Sequence, residues 1–300
     1  KPLHPEFISG FTDAEGSFGV LIRRYPNSSL GWRVEAKFTI GLHKKDLQLL
    51  NSIKSSFSCV GKITPQGEHA YQWRVGTTKD LINVIIPHFD LYPLTTQKRG
   101  DFELFKQVVL IIKQKAHLTP MGLQQIINLS ASINRGLSEE LKDNFPKTLV
   151  ASRPVVALTK TIVGHWLCGF VEGEGNFMMM INKNPSHFLG EQVQLRFKLT
   201  QHSRDTELLK SLVEFFGCGN YYPSSGGFYS GSYVVTSLSH ITKSIWPFFE
   251  KYPLHGNKSL DLADFKRAAE IMQSNGHLTK EGLDKIRIIK MKMNKGRDLL

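Results

Sequence analysis

The chain is written twice. "FISGFTDAEGSF", Phe7 to Phe18, returns as "WLCGFVEGEGNF", Trp166 to Phe177, and "VEAKFTIGLHKKDLQLLNSIKSSFSC" from Val34 returns as "VQLRFKLTQHSRDTELLKSLVEFFGC" from Val193, an offset of about 159 residues. "IIPHFDLYPLTTQKRGDFELFK" from Ile85 is answered by "IWPFFEKYPLHGNKSLDLADFK" from Ile245, and "HLTPMGLQQI" and "HLTKEGLDKI" close the two copies. Such a duplication constrains the fold before any element is assigned, because each copy must build the same unit. The stretch from Ser138 to Lys160 has no counterpart near the C-terminus and reads as a linker. The expected division is residues 1–137, a linker 138–160, and residues 161–300.

Each copy carries the same order of patterns. A short apolar helix comes first and ends on a carboxylate. Period-two stretches follow: Arg33, Glu35, Lys37 and Thr39 alternate with Val34, Ala36, Phe38 and Ile40, and Gln192, Gln194, Arg196, Lys198 and Thr200 alternate with Val193, Leu195, Phe197 and Leu199. Strict alternation predicts strands with one buried face. A helix is expected from Asp46 or Asp205 as N-cap, then a second hairpin containing "YQWRV" or "SYVVT", then two helices. The last of these opens at Thr119-Pro120 or Thr279-Lys280, where threonine caps and proline suits the first turn. The fold class is therefore α+β, with two pseudo-symmetric αββαββα halves, each an antiparallel sheet covered by helices on one face.

Composition narrows the partner. With 38 basic and 26 acidic residues the formal charge is +12, and each half carries 19 basic and 13 acidic residues, so both present the same sign to a polyanion. No apolar run approaches the ~20 residues that span a bilayer, and the opening residues do not read as a secretory leader. Cys59, Cys168 and Cys218 are odd in number and lack paired ligand spacing, which argues against disulfides and zinc and for a reducing compartment. The outer faces of the expected sheets are rich in Arg, Lys and Gln. A two-stranded ribbon fits the major groove of B-DNA, where Arg reads guanine and Gln reads adenine. The residues expected to face DNA are Arg23, Arg33, Lys37 and Arg74 in the first copy and Lys183, Gln192, Gln194, Arg196 and Lys198 in the second.

Glu15 and Glu174 raise a chemical question. Each sits where a helix finishes, ahead of Gly16 or Gly175, and so faces the negative end of a helix dipole. Ser9-Gly10 and Cys168-Gly169 put small residues on these helices, which would let the two pack closely and bring the two acids together. Like charges held close require a proton or a cation. Oxygen donors suit magnesium, and a metal there could activate water and stabilise a leaving oxygen.

These residues carry a resemblance. "ISGFTDAEG" and "LCGFVEGEG", each followed by β-rich sequence and a "YPL…K" element, resemble the two motifs of the single-chain LAGLIDADG homing endonucleases found in introns of fungal mitochondrial genomes. The similarity of organisation covers essentially the whole chain. It implies a saddle-shaped β surface over a long double-stranded DNA site and a monomer with internal pseudo-two-fold symmetry. It also implies magnesium-dependent cleavage of both strands across the minor groove with 3′ overhangs, two or three ions at the helix interface, and mitochondrial location. Carried across by motif position, Glu15 and Glu174 become metal ligands assisted by the carbonyls of Ala14 and Gly173, while Asp13 and Glu172 become structural. Lys98 and Lys258 fall near the scissile phosphates. Gln201 matches a water-positioning polar residue whose counterpart here is Leu42, so the halves need not be catalytically equal. Two alternatives stay open: a maturase that binds its host intron RNA, and a DNA-binding protein of the same fold that does not cut. "GCGNYY" from Gly217 lacks the third glycine of a dinucleotide fingerprint. His43, His202, His117 and His277 read as structural, and "KMKMNKGR" as a solvated helix end.

Overall fold

The computed structural model describes residues 2–157, 161–224, 229–294 and 297. It divides into two compact units, Lys1–Lys160 and Thr161–Leu300. In the first, α1 (Pro5–Glu15) passes directly into β1 (Gly16–Arg24), which hairpins into β2 (Trp32–His43). Next come α2 (Leu47–Ser56), β3 (Lys62–Gln66), β4 (Ala70–Val75), and α3 (Thr78–Asp80), which runs through a π turn at Leu81–Ile85 into α4 (Ile86–Leu91). Then α5 (Lys98–Lys113), α6 (Pro120–Ser130) and α7 (Glu139–Asn144) complete the unit. The second unit repeats the order as α8 (Gly164–Glu174), β5 (Gly175–Lys183), β6 (Glu191–His202), α9 (Thr206–Phe216), β7 (Asn220–Pro223), β8 (Ser230–Val235), α10 (Leu238–His240), α11 (Trp246–Lys251), α12 (Lys258–Gln273) and α13 (Lys280–Met291). The sheets are antiparallel, ordered β1-β2-β4-β3 and β5-β6-β8-β7.

The alternation in β2 and β6 resolves as the sequence predicts. Ala36, Phe38 and Ile40 are buried on one side, as are Val193, Leu195, Phe197 and Leu199. Each core is built around one aromatic at the start of the first strand. The Phe18 ring lies 5.1 Å from Phe38, 5.5 Å from Phe89 and 5.4 Å from Phe105; Phe177 lies 5.2 Å from Phe197, 5.5 Å from Phe249 and 5.3 Å from Phe265. Fully burying each such ring is worth ~1.5–3 kcal/mol, so this centre ties the sheet to α4 and the lysine-bearing helix α5 in the first unit, and to α11 and α12 in the second.

Gly16 and Gly175 follow the motif helices in extended conformation, at φ −76° and −72°. They are glycine because the strand leaves too close to the helix for anything larger: a Cβ would stand 2.4 Å from Thr12 Cγ2 and 2.8 Å from the Thr12 carbonyl oxygen, or 2.5 Å from Val171 Cγ1 and 2.7 Å from the Val171 oxygen. Asp46 and Asp205 make no side-chain cap; each lies in a 3-10 turn whose start is capped by the preceding histidine, His43 Nδ1 accepting from Lys45 N at 3.4 Å and His202 Nδ1 from Arg204 N at 3.2 Å. Ser9 and Cys168 donate to the turn before the lysine helix of their unit: Ser9 Oγ to the Tyr92 oxygen at 2.7 Å, Cys168 Sγ to the Tyr252 oxygen at 3.1 Å. The basic C-terminal stretch, partly outside the described residues, is not merely solvated, since Met293 is buried and Asn294 and Arg297 bind Asp261. Thr119 and Thr279 do cap, each accepting from the glycine three residues on at 3.1 Å. The stretch read as linker carries α7, whose Leu141 is buried in the cluster with Val108, Ile126 and Ile127.

Candidate active site and nucleic-acid interface

The end of each motif helix is built by reciprocal contacts with the loop that follows "YPL". Asp13 is buried and accepts from Thr95 N at 2.8 Å, Thr96 N at 3.3 Å and Thr96 Oγ1 at 2.5 Å. Thr96 Oγ1 in turn accepts from Lys98 N at 3.2 Å. In the second half Glu172, also buried, accepts from His255 N at 2.6 Å and Gly256 N at 3.1 Å. Each first acid of a motif therefore pins the loop that opens the lysine helix.

The lysine helix returns the contact. Lys98 Nζ donates to the carbonyl oxygens of Thr12 at 3.1 Å, Ala14 at 3.3 Å and Gly16 at 2.7 Å, and Lys258 Nζ donates to those of Val171 at 3.1 Å and Gly173 at 2.8 Å. These carbonyls form the negative end of a helix dipole, where a cation is stabilised. The oxygens of Ala14 and Gly173, assigned to metal by the resemblance, thus also accept from the lysines. Glu15 beside them is exposed and Glu174 half-buried. Among the described residues no group of three or more His, Cys, Asp and Glu is placed to hold a metal ion. A cation at either helix end would draw on one motif carboxylate and main-chain oxygens, an all-oxygen donor set of the kind hard divalent cations take.

A second brace, which the sequence reading missed, holds the lysine helices. Asp101, three residues after Lys98, is buried and accepts from Asn134 N at 3.0 Å and from Arg153 NH1 and NH2 at 2.5 and 3.0 Å; Arg153 NH2 also donates to the Gln97 oxygen at 2.6 Å. Asp261, three residues after Lys258, accepts from Asn294 N at 3.0 Å and Arg297 NH2 at 3.0 Å. The repeated acid after each lysine was a readable signal. The two arginines were not, for they come from non-corresponding places in the two copies.

Gln201 shares the parity of Phe197 and Leu199, so it lies on the helix-covered side of its sheet, half-buried. Since Gly175 pairs with Leu199, Gln201 stands level with the last turn of α8. Leu42 has the same place beside α1, where Gly16 pairs with Ile40.

Of the residues expected to face DNA, all but Lys183 lie on the outer faces. Arg23 pairs with Arg33, Gly19 with Lys37, and Thr39 with Arg74, and all four basic side chains fall on the side away from Phe38 and Trp73. In the second sheet Gln192, Gln194, Arg196 and Lys198 share the corresponding face, and Gln194, Arg196 and Lys198 line one concavity with Tyr222, Ser232 and Thr236. Arg196 NH2 donates to Gln194 Oε1 at 3.3 Å, while its Nε is buried without a hydrogen-bond partner. The expectation for Lys183 is corrected: at the hairpin end, opposite Glu191, it shares the parity of Phe177 and Met179 and so falls on the helix-covered side, where Glu191 pairs with Arg287 of α13. The sequence reading missed Glu35, which joins three arginines on the first face.

The family model described as LAGLIDADG endonuclease matches residues 8–109 and 167–269. The chain is 39% identical over 297 residues to the probable intron-encoded endonuclease 2 of Neurospora crassa, covering 95% of this chain and 64% of that protein. It is 38% identical over 289 residues to the probable intron-encoded endonuclease 3 of the same fungus, covering 96% and 54%. The chain thus spans somewhat over half the length of these curated relatives. Among solved structures it is similar to the I-SmaMI LAGLIDADG homing endonuclease bound to cleaved DNA, at TM-score 0.97 and 43% identity over 98% of both chains. It is also similar to the I-LtrWI LAGLIDADG homing endonuclease bound to target DNA, at TM-score 0.94 and 41% identity over 97% of this chain and 98% of that one.

Proposed function

This chain belongs to the LAGLIDADG endonuclease family, and from that premise we propose that it is a site-specific endonuclease of double-stranded DNA. In this reading it hydrolyses one phosphodiester in each strand across the minor groove, leaves 3′ overhangs, and works as a monomer in the mitochondrion. The observation that carries the reading is the twofold construction at the motif helix ends: an acid at the helix terminus, a lysine ammonium held on the same terminal carbonyls, and a first acid that pins the lysine's loop.

Glu15 and Glu174, with the carbonyls of Ala14 and Gly173, would hold divalent metal, magnesium in the cell. Bound there, the metal supplies an activated water and charge stabilisation at the departing oxygen. The protein's own part is positioning. Lys98 and Lys258 place positive charge where the phosphate gains negative charge, and a preorganised charge is worth more than one recruited from solvent. Gln201, level with the end of α8, orients water in the second half, and Leu42 cannot do so in the first. Arg23, Arg33, Lys37, Arg74, Gln192, Gln194, Arg196 and Lys198 supply phosphate and base contacts. Alanine at Arg196 should cost ~1–3 kcal/mol and relax preference at one base pair if it reads a base, or weaken all sequences and flatten the salt slope if it meets a phosphate.

The basic faces also suit an intron RNA, which we carry as a second partner because the relatives are named as intron-encoded. The test of the main reading is selection of cleaved molecules from a randomised duplex library in magnesium. Recovery of one long target cut in both strands supports it. Binding without cutting at any sequence would move the protein to the non-cleaving reading, and binding of the host intron RNA alone would move it to the maturase reading.

A further inference from the structure

At the centre of the first sheet's outer face one carboxylate sits among three guanidinium groups. Glu35 Oε1 meets Arg23 NH2 at 3.0 Å and Arg33 Nε at 2.9 Å, and Glu35 Oε2 meets Arg74 NH2 at 3.4 Å. The arginines come from β1, β2 and β4, so a single acceptor gathers cations from three adjacent strands. The Glu35 side chain is 21% exposed, against 52%, 49% and 46% for the arginines. The acid lies beneath the cations rather than beside them. The duplication provides an internal comparison: Glu35 stands opposite Leu21, and the residue opposite Met180 in the second sheet is Gln194, which carries no charge.

We propose that Glu35 is a specificity-determining residue that competes with DNA for the three arginines and thereby suppresses binding to duplexes of arbitrary sequence. The inference rests on the reading that the sheet faces bind DNA. Binding of arbitrary sequence is driven by neutralising phosphates and releasing their counterions. An arginine already paired with a carboxylate exchanges one anionic acceptor for another and gains little from a phosphate alone. A target whose guanines present paired acceptors to these side chains recovers bidentate geometry as well as charge, so the competitor weakens non-specific contacts more than specific ones. The second sheet, with Gln194, has no such restraint on Arg196.

The test uses the full chain, its Glu35→Gln variant and the reciprocal Gln194→Glu variant, titrated with a random-sequence DNA duplex by fluorescence anisotropy across a salt series. Glu35→Gln should bind about five- to tenfold tighter at low salt, with a salt dependence steeper by about one for each arginine released to a phosphate. Gln194→Glu should bind more weakly than the parent. If parent and Glu35→Gln bind the duplex with equal affinity and equal slope, this inference is overturned while the DNA-binding reading stands. If neither binds duplex DNA at any salt, the DNA-binding reading fails and this inference fails with it.

Discussion

Two acids two residues apart have opposite fates in the first motif. Asp13 is buried and saturated by the loop before Lys98, while Glu15 is exposed at the helix end. That division was legible, since the last acid of the motif, next to the glycine, was set apart from the earlier one. What the residues could not reveal was the partner of each: nothing in "FTDAEG" says that Asp13 would accept from Thr95 and Thr96, because those donors are brought close only by the tertiary fold. His88 shows the same limit. It occupies the place of Phe248 in the other copy, packs on Phe57 and Phe89 and lies 3.3 Å from Ser9 Oγ; burial pushes its pKa from the ordinary 6.5 down to about 4. The folded state therefore holds the ring neutral, whereas the unfolded chain takes up a proton below about pH 6.5. Stability present above that pH is lost as pH falls toward 4, by about 1.4 kcal/mol per unit. Urea unfolding at pH 7 and pH 5 should show the parent losing about 2 kcal/mol more than His88→Phe. Parallel losses in the two proteins would show that His88 is not the group that titrates.

Among the elements, the strands were the most readable and the junctions the least. Period-two alternation placed β2 and β6, and the threonine caps placed α6 and α13, because these signals are local. The π turns at Leu81–Ile85 and Ile241–Ile245 were not visible, although each precedes a proline, Pro87 or Pro247, that cannot donate to the preceding turn. The glycines after the motif helices serve the close approach of strand to helix. That role predicts the effect of a methyl group. Gly16→Ala and Gly175→Ala should each destabilise by ~1–3 kcal/mol, since part of the clash is with a main-chain oxygen that cannot rotate away. Thermal unfolding measures it, and an unchanged melting temperature in both variants would mean that the helix-to-strand junction relaxes freely. Arg153 was the least legible contributor, because it lies in the segment without a repeat and reaches Asp101 across 52 residues.

For the whole molecule, duplication and charge were both apparent before any coordinates, because one is a property of order and the other of composition. The differences between the copies matter most for the proposed chemistry. Gln201 stands where the first half has Leu42. The two strands of a target should therefore respond differently when one lysine is removed. Lys98→Met and Lys258→Met should each slow mainly one strand, by on the order of 10²-fold, and strand-specific labelling should show the nicked strand switching between them. Equal slowing of both strands by each variant would rule out a separate lysine for each phosphate. The central claim is that the terminal acid of each motif serves chemistry rather than recognition or folding. Its most direct test is to measure cleavage in magnesium and binding in calcium, on the selected target, for Glu15→Gln and Glu174→Gln. The account predicts loss of double-strand cleavage by both variants with target affinity close to that of the parent. Undiminished double-strand cleavage by either variant would contradict it.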